Sequence, residues 1–161
     1  MRIFAAALLL AAATAGCGER ADTARRLPDQ RLPTLGGVSG PSLASCPTDQ
    51  CLTVLVAPWC GVCRTEAPTI VLFRRYLDGR WIASRVVVGL SDDLAAIKEF
   101  AAEFGADALV DAGGALGSRG VPLFLVSDRA GRVLKAVEGF PRSAGPEGLA
   151  RYLGLSQENR P

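Results

Sequence analysis

The sequence contains no histidine in 161 residues. Without an imidazole there is no Ser-His or Cys-His catalytic pair and no histidine-ligated metal. Haem attachment through Cys-x-x-Cys-His is excluded as well, because Arg64 stands where the histidine would be. Methionine occurs once, as Met1. Soft thioether ligands are therefore lacking too, which argues against a copper site. Charge of neither sign predominates: 18 Lys and Arg against 16 Asp and Glu leave a net +2, with no block of like charge. Nucleic acid is not an expected partner. The one long apolar run, Ile3 to Ala13, is too short to span a bilayer. A hydrophobic fraction of 49% nevertheless supports the core of one domain, with a tail besides.

That apolar run follows Arg2 and is followed by small residues, the form of a signal peptide over residues 1–16. Two cleavage sites compete. Ala13-Thr14-Ala15 suits ordinary signal peptidase. Thr14-Ala15-Gly16-Cys17 resembles a bacterial lipobox, with Thr14 where leucine is usual. Cleavage before Cys17 would put lipid on its sulfur. The five cysteines favour this second site. Cys60 with Cys63 and Cys46 with Cys51 make two pairs, and Cys17 is left over. A lone thiol is unusual in an oxidising compartment. The expectation is a lipid-anchored protein on the periplasmic side of a bacterial envelope; the alternative is a cleaved, soluble periplasmic protein. Residues 17–45, rich in Arg, Pro, Gly and Ser, read as a flexible tether carrying that anchor. Leu32 to Leu35 gives a weak edge-strand signal. Residues 46–161 read as the domain.

The domain is organised around Val54 to Pro68. An apolar strand over 52–57 leads into Trp59-Cys60-Gly61-Val62-Cys63, and a helical pattern runs from Cys60 to Leu77 with Pro68 inside it. A helix start carries free N–H groups and a partial positive charge, so it favours an anion. A thiolate at Cys60 is such an anion, and its pKa should fall below the free-cysteine value of about 8.5. Cys63, one turn on, is placed to attack a mixed disulfide formed at Cys60. Further along, Arg85 to Leu90 reads as a buried strand. Ser91 or Asp92 caps a helix over Asp93 to Phe104, which Gly105 ends. Ala108 to Val110 is a short strand and Gly113 to Gly120 a glycine-rich turn. Pro122 to Val126 and Arg132 to Val137 form a hairpin around Asp128-Arg129-Ala130-Gly131, and Glu147 to Leu155 is a final amphipathic helix. The order predicts an α/β fold, a central mixed sheet flanked by helices.

From about residue 52 to 140 the chain resembles the thioredoxin superfamily. Trp59 before the first cysteine and Pro68 five residues after the second both match. Cys63-Arg64-x-Glu66-x-Pro68 is closest to the TlpA-like branch, the membrane-tethered thiol–disulfide oxidoreductases of bacteria. The segment between Leu90 and Val121 is similar to that branch's insertion. The resemblance implies the thioredoxin fold and a disulfide-exchange enzyme in which Cys60 attacks and Cys63 resolves, working in the reducing direction. It implies protein thiols and disulfides as substrates, a membrane electron donor, no cofactor or metal, and a monomer. It also implies that Gly120-Val121-Pro122 faces the dithiol with Pro122 in cis, and that the Val121 backbone pairs with an extended substrate chain.

Other readings of these residues stay open. Cys46 and Cys51 suit a local disulfide staple, independently redox-active thiols, or a zinc site with Cys60 and Cys63. The zinc geometry is poor, because the strand between the pairs spans about 20 Å. Trp59 can shield Cys60 or simply pack in the core. Glu66 can assist proton transfer to a thiol or be a solvated helix-face carboxylate. Arg64 can favour the thiolate by charge or lie on the surface. Val54 departs from the family: thioredoxins carry a buried Asp there, so Glu66 or water must take the proton of the second cysteine, or the protein works at lower rates. The alternatives for the whole chain are a disulfide oxidant or isomerase, and a non-catalytic dithiol module such as a Cu(I) chaperone.

Overall fold

A computed structural model describes residues 25–118, 120–142 and 145–155. The predicted signal peptide and Cys17 lie outside the described residues. The elements run β1 (Arg31–Pro33), β2 (Ser39–Ser42), β3 (Gln50–Val56), α1 (Gly61–Asp78), β4 (Ala83–Gly89), α2 (Leu94–Ala101), a 3-10 turn (Ala102–Phe104), β5 (Leu109–Asp111), β6 (Leu123–Asp128), β7 (Val133–Glu138) and α3 (Gly145–Leu153). Five strands form one sheet in the order β5-β4-β3-β6-β7. β3 is parallel to β4 and β4 to β5, while β6 is antiparallel to both β3 and β7.

The central strands are buried on both faces, so they read as continuous apolar runs rather than alternating ones. Alternation still sorts their side chains. Leu52, Val54, Val56, Val86, Val88, Phe124 and Val126 face one core. Leu55, Val87, Leu109, Leu123 and Leu125 face the other. The steps β3 to β4 and β4 to β5 both move the same way across the sheet. Right-handed crossovers must then put α1 and α2 on the same face. Both pack into the first core, with Ile70, Phe73 and Leu77 from α1 and Ile97 and Phe100 from α2; α3 adds Leu149 and Leu153.

The other face is covered by the segment expected to be a tether, and that expectation needs correcting. Leu27, Leu32 and Leu43 are buried in the second core. β1 and β2 pair as a hairpin. Backbone bonds run from Leu27 N–H to Gly131 O (2.9 Å) and from Leu35 N–H to Ala108 O (2.8 Å). Buried Arg85 donates to Ser42 O (2.8 Å) and Ser45 O (2.6 Å). The weak strand signal at Leu32 to Leu35 thus belongs to β1, and residues 25–45 are not a tether. Arginine, proline and serine hid this segment because its three buried leucines have no common period.

A second correction concerns α2. Its cap is Asp93, not Ser91 or Asp92. The Asp93 carboxylate accepts from Ala95 N–H (2.9 Å) and Ala96 N–H (3.0 Å), while Ser91 Oγ accepts from Asp93 N–H (3.2 Å). The helix then tightens to 3-10 geometry, and Gly105, with φ of 101°, ends it.

Candidate active site

β3 ends at Val56, and four residues later Cys60 caps α1. Its backbone is extended (φ −82°, ψ 109°) and its N–H donates to Ala57 O (3.1 Å). The Cys60 sulfur accepts the N–H of Cys63 at 3.1 Å. This is the capping role that Ser or Asp plays elsewhere, performed by a sulfur that gains from bearing negative charge. Cys60 and Cys63 are disulfide-bonded, with Cα atoms 5.2 Å apart. Cys60 is 6% exposed and Cys63 fully buried, so an incoming sulfur meets Cys60 first.

The approach to the dithiol is braced from both sides. Trp59 is 61% exposed, which corrects its reading as a core residue. Its indole N–H donates to Leu90 O, one residue past the end of β4, which fixes the exposed ring on the surface. Arg64 donates from Nε to Pro58 O (2.6 Å), and its guanidinium lies 5.6 Å from the Phe100 ring centroid. It binds the loop before Cys60. On the other side the Val121–Pro122 peptide bond is cis. The Val121 carbonyl oxygen lies 3.6 Å from the Cys60 sulfur.

Glu66 is half-buried on the rim of a cleft of about 370 Å³ between α1 and α3, with Phe73, Phe140, Arg142 and Leu149. Val54 is fully buried and packs in the same core as Cys60 and Cys63. No carboxylate stands at that position.

Cys46 and Cys51 are disulfide-bonded, with Cα atoms 5.6 Å apart. Cys51 is the second residue of β3, and Cys60 lies beyond its other end. The two pairs are separated by the length of the strand, about 20 Å. A zinc ion bound by all four sulfurs is therefore not what the structure holds together.

Asp111, which sequence reasoning passed over, ends β5 and is 1% exposed. Its Oδ1 accepts from Ala115 N–H (3.0 Å) and its Oδ2 has no partner among the described residues. It anchors the start of the loop that leads to Val121. An Asp before Ala-Gly-Gly carries that signal, since Asp side chains bond backbone a few residues on.

No protein-family model matches the chain, and no curated protein matches it. Solved structures do. A thiol:disulfide interchange protein of the thioredoxin family from Chlorobium tepidum is similar with a TM-score of 0.63 at 20% identity, over 83% of this chain and 96% of that one. The exposed lipoprotein thioredoxin Etrx1 of Streptococcus pneumoniae is similar with a TM-score of 0.64 at 20% identity, over 79% and 98%. A secreted Mycobacterium tuberculosis disulfide oxidoreductase homologous to Escherichia coli DsbE gives 0.61 at 16%, over 80% and 96%. The fold is the thioredoxin fold.

Proposed function

We propose that this chain is a thiol–disulfide oxidoreductase of the thioredoxin type that reduces protein disulfides on the periplasmic side of a bacterial envelope. The observation that carries the reading is the Cys60 sulfur at the start of α1, accepting the Cys63 N–H beside the carbonyl of a cis-proline loop. In the reduced protein the Cys60 thiolate attacks one sulfur of a substrate disulfide. That S–S bond breaks, a mixed disulfide forms, and the leaving thiolate takes up a proton. Cys63 then loses its proton and attacks the Cys60 sulfur. The Cys60–Cys63 disulfide closes, and the second substrate thiolate leaves. Two electrons pass to the substrate, and a membrane dithiol donor restores the pair.

Glu66 is the carboxylate on α1 nearest in sequence to Cys63, and we assign it the proton that Val54 cannot take. Val121 offers backbone to an extended substrate, and Trp59 a flat apolar contact. Cys46–Cys51 is a staple. The resemblance to the TlpA-like branch supports the reducing direction and the membrane donor. Anchoring through lipid on Cys17 is supported by the odd cysteine at a lipobox-like site, and the resemblance implies a monomer. Among the similar structures one is a secreted protein and one an exposed lipoprotein, which supports an extracytoplasmic place. Among the described residues no helix is long and apolar enough to cross a membrane.

A redox titration of the Cys60–Cys63 pair tests the direction. A potential well below the periplasmic range is expected of a reductant. A potential as high as that of a dedicated oxidant, near −120 mV by the known scale, would overturn it.

A further inference from the structure

β7 ends at Glu138, opposite Leu123 at the start of β6. The next residue, Gly139, donates its N–H to Pro122 O (2.8 Å). Glu138 is thus held by the ladder beside the cis-proline loop. Its side chain runs back along that loop to Gly120. A Cβ placed on Gly120 would lie 2.6 Å from Glu138 Oε2 and 3.3 Å from Oε1. The carboxylate end of Glu138 thus sits where a Cβ at position 120 would point. Glu138 is exposed, and among the described residues it makes no hydrogen bond or ion pair. Arg64, the cation next to the dithiol in sequence, is committed to Pro58 O. Among the described residues an acidic side chain therefore stands without a partner one residue from Val121, whose carbonyl oxygen lies 3.6 Å from the Cys60 sulfur.

We propose that Glu138 is a specificity-determining residue: it favours disulfide substrates with Lys or Arg beside the reacting cysteine and disfavours those with Asp or Glu there. The inference rests on the oxidoreductase reading and on substrate backbone lying along Val121. A substrate strand on that edge must bring the neighbours of its cysteine past Gly120. An opposite charge is then attracted across a short distance and a like charge repelled. The pair is at the surface, so the preference is modest and falls with salt.

The test uses the full chain, reduced beforehand, in single-turnover reactions with two disulfide-bonded peptides. They differ only in a Lys or a Glu next to the cysteine. Wild type should prefer the Lys peptide by about threefold at low ionic strength, and the ratio should shrink toward one in about 1 M salt. Glu138→Gln should bring the ratio close to one, and Glu138→Lys should invert it. A small uncharged disulfide should react at the same rate with all three proteins. An unchanged ratio across the three, with both peptides still reduced, overturns the assignment of Glu138. If wild type reduces neither peptide nor the small disulfide, the oxidoreductase reading falls and takes this inference with it.

Discussion

The sulfurs of Cys60 and Cys63 lie one helical turn apart in different surroundings. Cys60 is the cap, accepts a backbone N–H and can be reached from outside; Cys63 is sealed in the core against Val54 and Ala67. A thiolate is stabilised by N–H groups and the helix dipole at the first position and is disfavoured by burial at the second. Cys63→Ser should therefore accumulate mixed disulfides with substrate, visible on non-reducing gels, while Cys60→Ser should trap none. Alkylation of the reduced protein at pH 7 should label Cys60 first, as read by peptide mass spectrometry. Labelling of Cys63 first would reverse the assigned roles.

Two short loops show how single elements are fastened. The β6–β7 turn is closed by Asp128, whose Oδ1 accepts from Ala130 N–H and Arg132 N–H, both at 2.9 Å. The Arg132 N–H is the largest cause holding the Asp128 carboxyl below its ordinary value; its guanidinium and the Ala130 N–H act the same way. A carboxyl with a lowered folded pKa contributes stability in full above the ordinary value of about 3.9, and loses it as pH falls through the folded value. Asp128→Asn should thus be less stable than wild type at pH 6. The gap between their melting temperatures should close as pH is taken down toward 2. At the start of β3, the Cys46–Cys51 bridge encloses Thr48, whose Oγ1 accepts from Ala83 N–H (3.2 Å) and so ties the loop to β4. The closed loop is short, so replacing both cysteines by Ser should lower stability by about 2 kcal/mol in denaturant titration. Single-turnover reduction by the folded variant should stay near wild type, because disulfide exchange needs sulfur contact and the strand keeps the pairs apart.

For the molecule as a whole, the N-terminal segment is part of the core. A thioredoxin-fold sheet needs both faces covered, and here all three helices of the described residues lie on one. Leu27, Leu32 and Leu43 close the other, over Leu55, Val87 and Leu125. Burying three leucines contributes roughly 5–9 kcal/mol, comparable to the whole stability of a small domain. A chain beginning at Cys46 should therefore lose its cooperative melt, or melt far lower by circular dichroism, although it retains every strand of the main sheet. Leu43→Ala in the intact chain should cost about 3 kcal/mol. A truncated chain that melts like the full one would return residues 26–45 to the role of a linker.

Much of this was written locally. The run Cys51 to Val56, the dithiol at a helix start, the stop at Gly105 and the turn at Asp128-Arg129-Ala130-Gly131 each depend on residues a few positions apart. Propensity, periodicity and capping act over that range, so the sequence by itself determined the main elements, their order and the place of Cys60 and Cys63. What it left open depends on which distant segments meet. Trp59 is held at the surface by its indole N–H, which finds the Leu90 carbonyl just past β4, 31 residues away. The segment over 26–45 is ordered because Arg85 reaches Ser42 and Ser45 and because the sheet's second face would otherwise be wet. Glu138 lies against Gly120 because a hairpin folds one strand back beside the other. No local pattern carries such pairings. They are set by the direction of the crossovers and by the need to bury both faces of one sheet, and those are decided only when the whole chain has packed.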